Sequence, residues 1–423
     1  MKRKVIVFTL SLLLAVIFLL TLTFEVALAA REIRFAMFGA AFEVDLYKKW
    51  ISKFEEETGI KVKLETYPHD DHEDKMVTSF LGGATPDVVK LATEGLAGFA
   101  EMGMFIPLDD YINGSKGINK GDFWDFIWET PGIISKGKIR AIPIDAMCFS
   151  LFYNKDMFKE AGLDPEKPPK TWDEFRDYSI HLTKDTDGDG KIDQWGYGPP
   201  GWDLPFFTLV YQNGGEIWSK DPIKPRFNEA PGVEALQFLV DLIFKDKCAR
   251  SPAAIAGEMS NINLFGMGKI AMAMSGPWQM AWMKTTYPDI NYGVAELPAG
   301  KQKANCAFSS TFGISVHSTD PDAAWEWLRY IMAYEQQLDW GIARISIPSR
   351  KAAAEEAFKE WPAFLVFLDG LEYARADHPI PGFDAVRQIF SAEFNAALDP
   401  AIRKEPKQAL DDAAKRIIEE VLE

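Results

Sequence analysis

The chain has 423 residues, with 46 Lys+Arg against 62 Asp+Glu, a formal net charge of −16, 47% hydrophobic and 26% charged residues. This balance excludes collagen-like, coiled-coil and disordered classes, and it lacks the Lys/Arg surplus with which a protein neutralises nucleic-acid phosphates. The length exceeds what one hydrophobic core serves, so two domains are expected.

Lys2-Arg3-Lys4, an uncharged apolar run over 5–24 and the small-residue spacing of Ala27-Leu28-Ala29 read as an export signal over residues 1–29. The apolar run is also about the 20 residues that span a bilayer as a helix, so a retained anchor is the competing reading. No Cys lies near the cleavage point, which excludes a lipoprotein tether. Cleavage removes three cations and Glu25 and leaves −18 on the chain from Ala30, which then works in the periplasm or at the extracytoplasmic face of the membrane.

An apolar strand over 33–38 ends at Gly39. Phe42, Leu46, Trp50 and Phe54 recur every fourth residue and predict a helix closed by Gly59. Ile60, Val62, Leu64 and Thr66 alternate with polar residues as a second strand, a helix over 71–81 is closed by Gly82-Gly83, and 86–91 reads as a buried strand. This alternation is the pattern of an α/β lobe with a largely parallel sheet. In such sheets ligands sit outside the carboxyl ends of the strands, here the loops 38–41, 68–71 and 92–95.

Further on, 139–153 is strand-rich and contains Pro143 and Asp145. A helix then ends at Gly162, a Pro-rich linker covers 165–169 and Thr171 opens another helix. The runs 231–244 and 321–334 are helical with Pro in the first turn. From Pro406, Leu410, Ala413, Ala414, Ile417, Ile418, Val421 and Leu422 share one face of a closing amphipathic helix.

Cys148, Cys248 and Cys306 lie far apart with no CxxC, and His is scarce at five, so neither a zinc framework nor a disulfide scaffold is indicated. One disulfide with one free thiol, and three buried thiols, both stay open. Asp185, Asp187, Asp189, Lys191 and Asp193 stand at positions 1, 3, 5, 7 and 9 of a calcium-loop pattern, with Gly190 at 6 and Ile192 at 8. Position 12 is Gly196 instead of the bidentate Glu, so a structural Ca²⁺ is weighed against a solvated acidic turn. GxSxG and HExxH are absent, and Gly266-Met267-Gly268-Lys269 lacks the spacing of a phosphate loop.

Tyr153-Asn154-Lys155-Asp156-Met157-Phe158-Lys159-Glu160-Ala161-Gly162-Leu163, followed by Pro169-Lys170-Thr171-Trp172-Asp173-Glu174-Phe175, resembles a signature of extracellular solute-binding protein family 1, the maltose-binding-protein-like sugar-binding components of ABC transporters. Ala84-Thr85-Pro86-Asp87-Val88-Val89, Phe265-Gly266-Met267-Gly268-Lys269-Ile270-Ala271-Met272, Ser275-Gly276-Pro277-Trp278 and Gly313-Ile314-Ser315-Val316 match in the same order, so the resemblance covers essentially the whole mature chain. It implies an α/β, two-lobe periplasmic-binding-protein fold with interleaved lobes joined by a hinge, closing on ligand by rigid-body motion. The implied division is 30–144 with 307–345 for the first lobe and 145–306 with 346–423 for the second. Cys148 and Cys306 then fall beside the hinge, where they are expected to approach each other.

Sugars offer hydroxyls to planar polar groups and C–H faces to aromatic rings. By resemblance Trp278 stacks on sugar, Phe206 and Asp203 supply a platform and a carboxylate with Trp202 as an alternative platform, and Phe383 is another stacking residue. Asp145 in the hinge and Glu94 after the third strand lead the polar contacts. Glu43, Asp70 and Thr93 stand at the same edge, although a carboxylate at a helix start also serves simply to complement the helix dipole. Ser310 and Thr311 approach from the returning hinge segment, and Trp340 or Arg344 from the last crossing. Phe38 stands where relatives often carry a Trp. Each aromatic has core packing as its competing role.

The implied function is an extracytoplasmic binder, monomeric and not an enzyme, that delivers a sugar or oligosaccharide to ABC permease subunits. A secreted glycan-active enzyme, which also uses carboxylates and Trp platforms, and a same-fold binder of a non-sugar ligand are the alternatives.

Overall fold

The computed structural model describes residues 31–39, 41–92, 96, 98–100, 102–124, 128, 134–135, 137–219, 224–252, 261–344, 346–359, 361–376 and 382–422. The export signal expected over 1–29 lies outside them. Among the described residues no helix is long and apolar enough to cross a membrane.

The chain opens with β1 (Glu32–Phe38), α1 (Ala41–Thr58), β2 (Lys61–Tyr67), α2 (His69–Leu81) and β3 (Val88–Ala92). Gly59, at φ +73°, closes α1 in a conformation that strains an L side chain. β2 and β3 flank β1 in parallel, with Phe35 opposite Leu64 on one side and Val88 on the other. β4 (Ala141–Pro143) leads to the first crossing.

Beyond it come β5 (Ser150–Asn154), β6 (Trp195–Gly198), α3 (Asp203–Gln212), β7 (Ile270–Ser275), α4 (Trp278–Thr286) and β8 (Tyr292–Ala295). They form a second sheet in the order β8-β5-β7-β6, in which β5 runs antiparallel to both β8 and β7. The chain returns through β9 (Ser310–Ile314), which inserts antiparallel between β3 and β4 and completes the first sheet as β2-β1-β3-β9-β4. In each sheet the strand that runs against its neighbours is the one arriving directly from the other lobe. It enters at the edge where the parallel strands end, so it can only run the opposite way.

α5 (Pro321–Ile331) packs on β1 and β9, α6 (Tyr334–Arg344) packs on α1, and the short strand Ile347–Pro348 pairs antiparallel with Asp145–Ala146 of the first crossing. α7 (Lys351–Phe358) packs on α6 and on Ile347–Pro348, and packing passes to the second lobe only at α8 (Pro362–Glu372), which lies on β8 and β5. α9 (Phe383–Leu398) and α10 (Pro406–Ile417) close the chain, the latter burying Leu410, Ala413, Ala414 and Ile417. One core gathers Phe35, Trp50, Phe312, Trp327 and Trp340 and reaches Phe152, Phe265 and Phe367; a second gathers Phe206, Phe207, Phe227, Phe390 and Phe394.

The first two crossings and the segment after α6 run side by side. Met147 and Phe308 exchange backbone hydrogen bonds at 2.9 and 3.0 Å, Ile144 N–H donates to Ser310 at 2.9 Å, and Ser349 N–H donates to Ile144 at 3.0 Å. Such a ribbon is the few-residue joint on which two rigid lobes can turn.

Candidate functional site

The register gathers one set of strand ends at the hinge side of each lobe, a first and a second lip. On the first lobe these are Phe38, Tyr67 and Ala92 at the carboxyl ends of β1, β2 and β3, with Ser310, at the start of β9, opposite Ala92. On the second they are Gly198 and Ser275 at the ends of β6 and β7, with Ser150, at the start of β5, opposite Ser275.

At the first lip four ionisable groups form one buried network. Lys90, in the middle of β3 and 0% exposed, donates to Glu43 Oε2 at 3.0 Å and to the Phe38 carbonyl at 3.2 Å. Arg344 Nε lies 3.1 Å from Glu43 Oε1. Its Nη1 donates to Asp145 Oδ2 at 2.9 Å and to Ser310 Oγ at 3.3 Å, and the Ser310 amide donates to Asp145 Oδ1 at 2.7 Å. Two cations and two carboxylates therefore cancel. Burial alone would raise the Glu43 carboxyl, but Lys90 and Arg344 together hold it below the usual carboxylate range. Asp145 is pushed up by its burial, against the pull of Arg344 and the Ser310 amide. Gly39 has no room for a side chain, because a Cβ there would sit 2.4 Å from Glu43 Oε2.

At the second lip the groups are aromatic. Phe149, just before β5, packs edge-on against Trp202 at 5.4 Å and Trp278 at 6.4 Å, and Phe308 of the hinge contacts Phe149 at 5.3 Å and Trp278 at 5.6 Å. Trp202 and Trp278 are only partly buried, and the Arg387 guanidinium stands over the Trp202 ring at 5.8 Å. The ring of Trp278 lies back over Gly276, where a Cβ would meet Trp278 Cζ3 at 1.8 Å. Asp203, at the start of α3, is 2% exposed. Its Oδ1 accepts from the Leu204 amide at 3.0 Å and lies 3.5 Å from Arg387 Nε, and burial raises it despite that cation.

Of the residues expected to touch ligand, Phe38, Glu43, Asp145, Ser310 and Arg344 converge on the first lip, and Trp202, Asp203 and Trp278 on the second. Three other expected contacts are enclosed by their neighbours. Phe206, 1% exposed, is enclosed by Phe390 and Phe394 at 5.6 and 5.1 Å. Trp340 is fully buried against Tyr47 and Trp50. Thr311 is buried inside the sheet and donates to the Leu91 carbonyl at 3.2 Å. Thr93 and Glu94 lie outside the described residues, as do the side chains of Asp70 and Phe383. Sequence reasoning missed Lys90, Phe149 and Phe308. The signal for Lys90 was available: a Lys within the apolar run Val88-Val89-Lys90-Leu91 needs a buried counter-ion.

The cysteines are three buried free thiols, so the expected approach of Cys148 and Cys306 has produced no bond. Burial raises the Cys148 thiol, whose Sγ contacts the Phe367 carbonyl, and pushes Cys248 up to about 12.

In the acidic loop, Asp185, Asp187 and Asp193 bring carboxylate oxygens within 4.8 Å of one another. Asp185 accepts the amides of Gly188 and Gly190 at 2.7 and 2.8 Å, and the Gly190 bond is the leading cause that holds its carboxyl low. Asp189 instead accepts the Lys191 amide at 2.8 Å and lies 3.5 Å from Lys191 Nζ.

A family model for bacterial extracellular solute-binding proteins matches residues 40–338. A Brucella abortus binding protein is 27% identical over 402 residues, covering 92% of both chains. Among solved structures, an ABC substrate-binding protein from Listeria monocytogenes in complex with cycloalternan superposes with TM-score 0.81 at 24% identity, covering 92% of this chain and 98% of that one. A solute-binding protein from Thermotoga lettingae bound with alpha-D-tagatose gives 0.79 at 26% identity over 92% and 99%.

Proposed function

The chain belongs to the bacterial extracellular solute-binding protein family, and we propose that it captures a neutral sugar or oligosaccharide between its lobes, outside the cytoplasmic membrane, and delivers it to the permease subunits of an ABC importer. The observation that carries this reading is the pairing of a charge-balanced polar lip with an aromatic one. Glu43 and Asp145 offset Lys90 and Arg344, and Asp203 faces Arg387, so an anion gains no net attraction. Hydroxyls and C–H faces still find directional acceptors, donors and Trp planes. The two structural relatives named above hold uncharged carbohydrates, which supports the same class here.

A thermal-shift screen against mono- and oligosaccharides, with a polyol phosphate as the anionic comparison and product analysis of each hit, tests the reading. A stabilising sugar recovered intact supports it, while preference for the phosphate, or turnover of the sugar, overturns it. We further propose that residues 1–29 are the export signal, that the binder acts as a monomer, and that the loop 185–193 holds a structural Ca²⁺ away from the ligand.

A further inference from the structure

Lys90 does not reach solvent, yet the hydrogen bonds of its ammonium end at the ligand lip. Its ammonium bonds Glu43 and the Phe38 carbonyl and stands 4.8 Å from the centroid of the Phe38 ring and 5.1 Å from that of Trp340. Its own carbonyl accepts from His72 Nε2 at 2.7 Å, and the His72 ring packs on Phe38 at 5.3 Å and on Tyr67 at 5.7 Å. The side chain and the main chain of one residue thus grip the end of β1 from two directions. From Glu43 the bonds continue through Arg344 and Asp145 to the Ser310 amide. That is an unbroken polar path from the first-strand turn to two hinge crossings.

Stability does not account for a charge at this place. An apolar residue would continue the run of β3, and replacing a buried ion pair by packed hydrophobic side chains is often neutral or stabilising. What apolar packing cannot do is hold a carboxylate and a main-chain carbonyl in a fixed direction, since only a hydrogen-bonded charge has that directionality.

We propose that Lys90 is a positioning residue: from inside the sheet it fixes Glu43 and the Phe38 turn at the ligand lip and, through Arg344 and Asp145, ties that lip to the hinge. The proposal rests on reading this lip as part of the ligand site. Coupling of this kind needs an element that both sites contact, and the Arg344 guanidinium is that element, ion-paired with Glu43 at the head of α1 and hydrogen-bonded to Asp145 of the first crossing.

The test is hydrogen exchange on unliganded protein, comparing wild type with Lys90→Met and with Glu43→Met/Lys90→Met, which removes both charges. Exchange over 38–45 and 143–147 is expected to accelerate roughly tenfold in both variants, a typical size for coupling between sites. The segment 195–212 of the second lobe should keep its wild-type protection, and the double variant should melt no lower than wild type. Wild-type protection over 38–45 in either variant overturns the proposal. So does acceleration spread evenly over both lobes, the mark of a residue that only stabilises the fold. With the strongest binder from the sugar panel, Lys90→Met should weaken affinity about tenfold, and unchanged affinity also overturns the proposal. A panel with no hit counts against the sugar reading alone, because exchange is read with no ligand present.

Discussion

Arg344 donates from Nη1 to Asp145 Oδ2 at 2.9 Å, binding the end of α6 to the first crossing. The same guanidinium faces Glu43 through Nε at 3.1 Å. Removing it strands two buried carboxylates with one ammonium between them. Arg344→Met should therefore cost about 3–5 kcal/mol, as expected for one partner taken from a buried ionic cluster, read from urea denaturation. Arg344→Lys should recover less than half, because an ammonium lacks the planar fork that reaches both carboxylates.

Trp278 and Phe206 separate ligand contact from core. Trp278→Ala should weaken sugar binding by about 2 kcal/mol, the loss typical of a stacking anchor, with little change in melting temperature. Phe206→Ala should cost about 3–5 kcal/mol of stability through the cavity left beside Phe390 and Phe394. Calorimetric titration and thermal melts on the same two variants check this, and the reverse pattern would exchange their roles.

Asp203 is a carboxylate that costs stability. Its burial raises its pKa above the ordinary 3.8, so the folded state binds its proton more tightly than the unfolded chain, and ionisation penalises folding at neutral pH. Asp203→Asn should raise stability by about 1 kcal/mol at pH 7, with the gain vanishing as pH falls below 3.8. The same variant should bind sugar more weakly if Asp203 serves the ligand.

Glu43 behaves in the opposite sense. Held below its ordinary 4.5 by Lys90 and Arg344, it contributes stability that is fully present above pH 4.5 and is lost as pH falls through the depressed value. Glu43→Gln should therefore be less stable than wild type at neutral pH, and the gap should close on acidification. Urea midpoints between pH 7 and pH 3 would show a constant gap if Glu43 were not ionised in the fold.

For the loop 185–193, added Ca²⁺ should raise the melting temperature reversibly with chelator, and Asp185→Ala should abolish the shift. Unchanged melting and no calorimetric heat on adding Ca²⁺ would remove the metal from the loop. Asp185, Asp187 and Asp193 already share one small space, whereas Asp189 is engaged with Lys191. Fewer oxygens than the full calcium-loop pattern should then mean weaker binding.

Periodicity in the sequence marked the α/β alternation of the first lobe. The helix over 42–54 appears as α1, and Thr171 is the N-cap of the helix Trp172–Leu182, accepting from the Glu174 amide. Glu43, Asp145, Ser310 and Arg344 were chosen from separate stretches and meet in one network. Strand patterning treats a lone Lys as a blemish in an apolar run, and the hydrogen-bond partners of the Lys90 ammonium stand 47 and 52 residues away along the chain. Phe206, Trp340 and Thr311 went the other way: an aromatic or hydroxyl residue near a loop suits ligand and core equally until its neighbours are known.

The acidic balance, the basic-then-apolar start and the ordered motifs were fixed by composition and short-range pattern, because each depends only on residues close in sequence. Which strand runs against its sheet, which Trp stays partly exposed, and that four charges cancel at one lip were decided by tertiary structure. Those outcomes depend on crossings that bring residues 38, 90, 145, 310 and 344 within hydrogen-bond reach, and a charge in a buried place is defined by its neighbours in space.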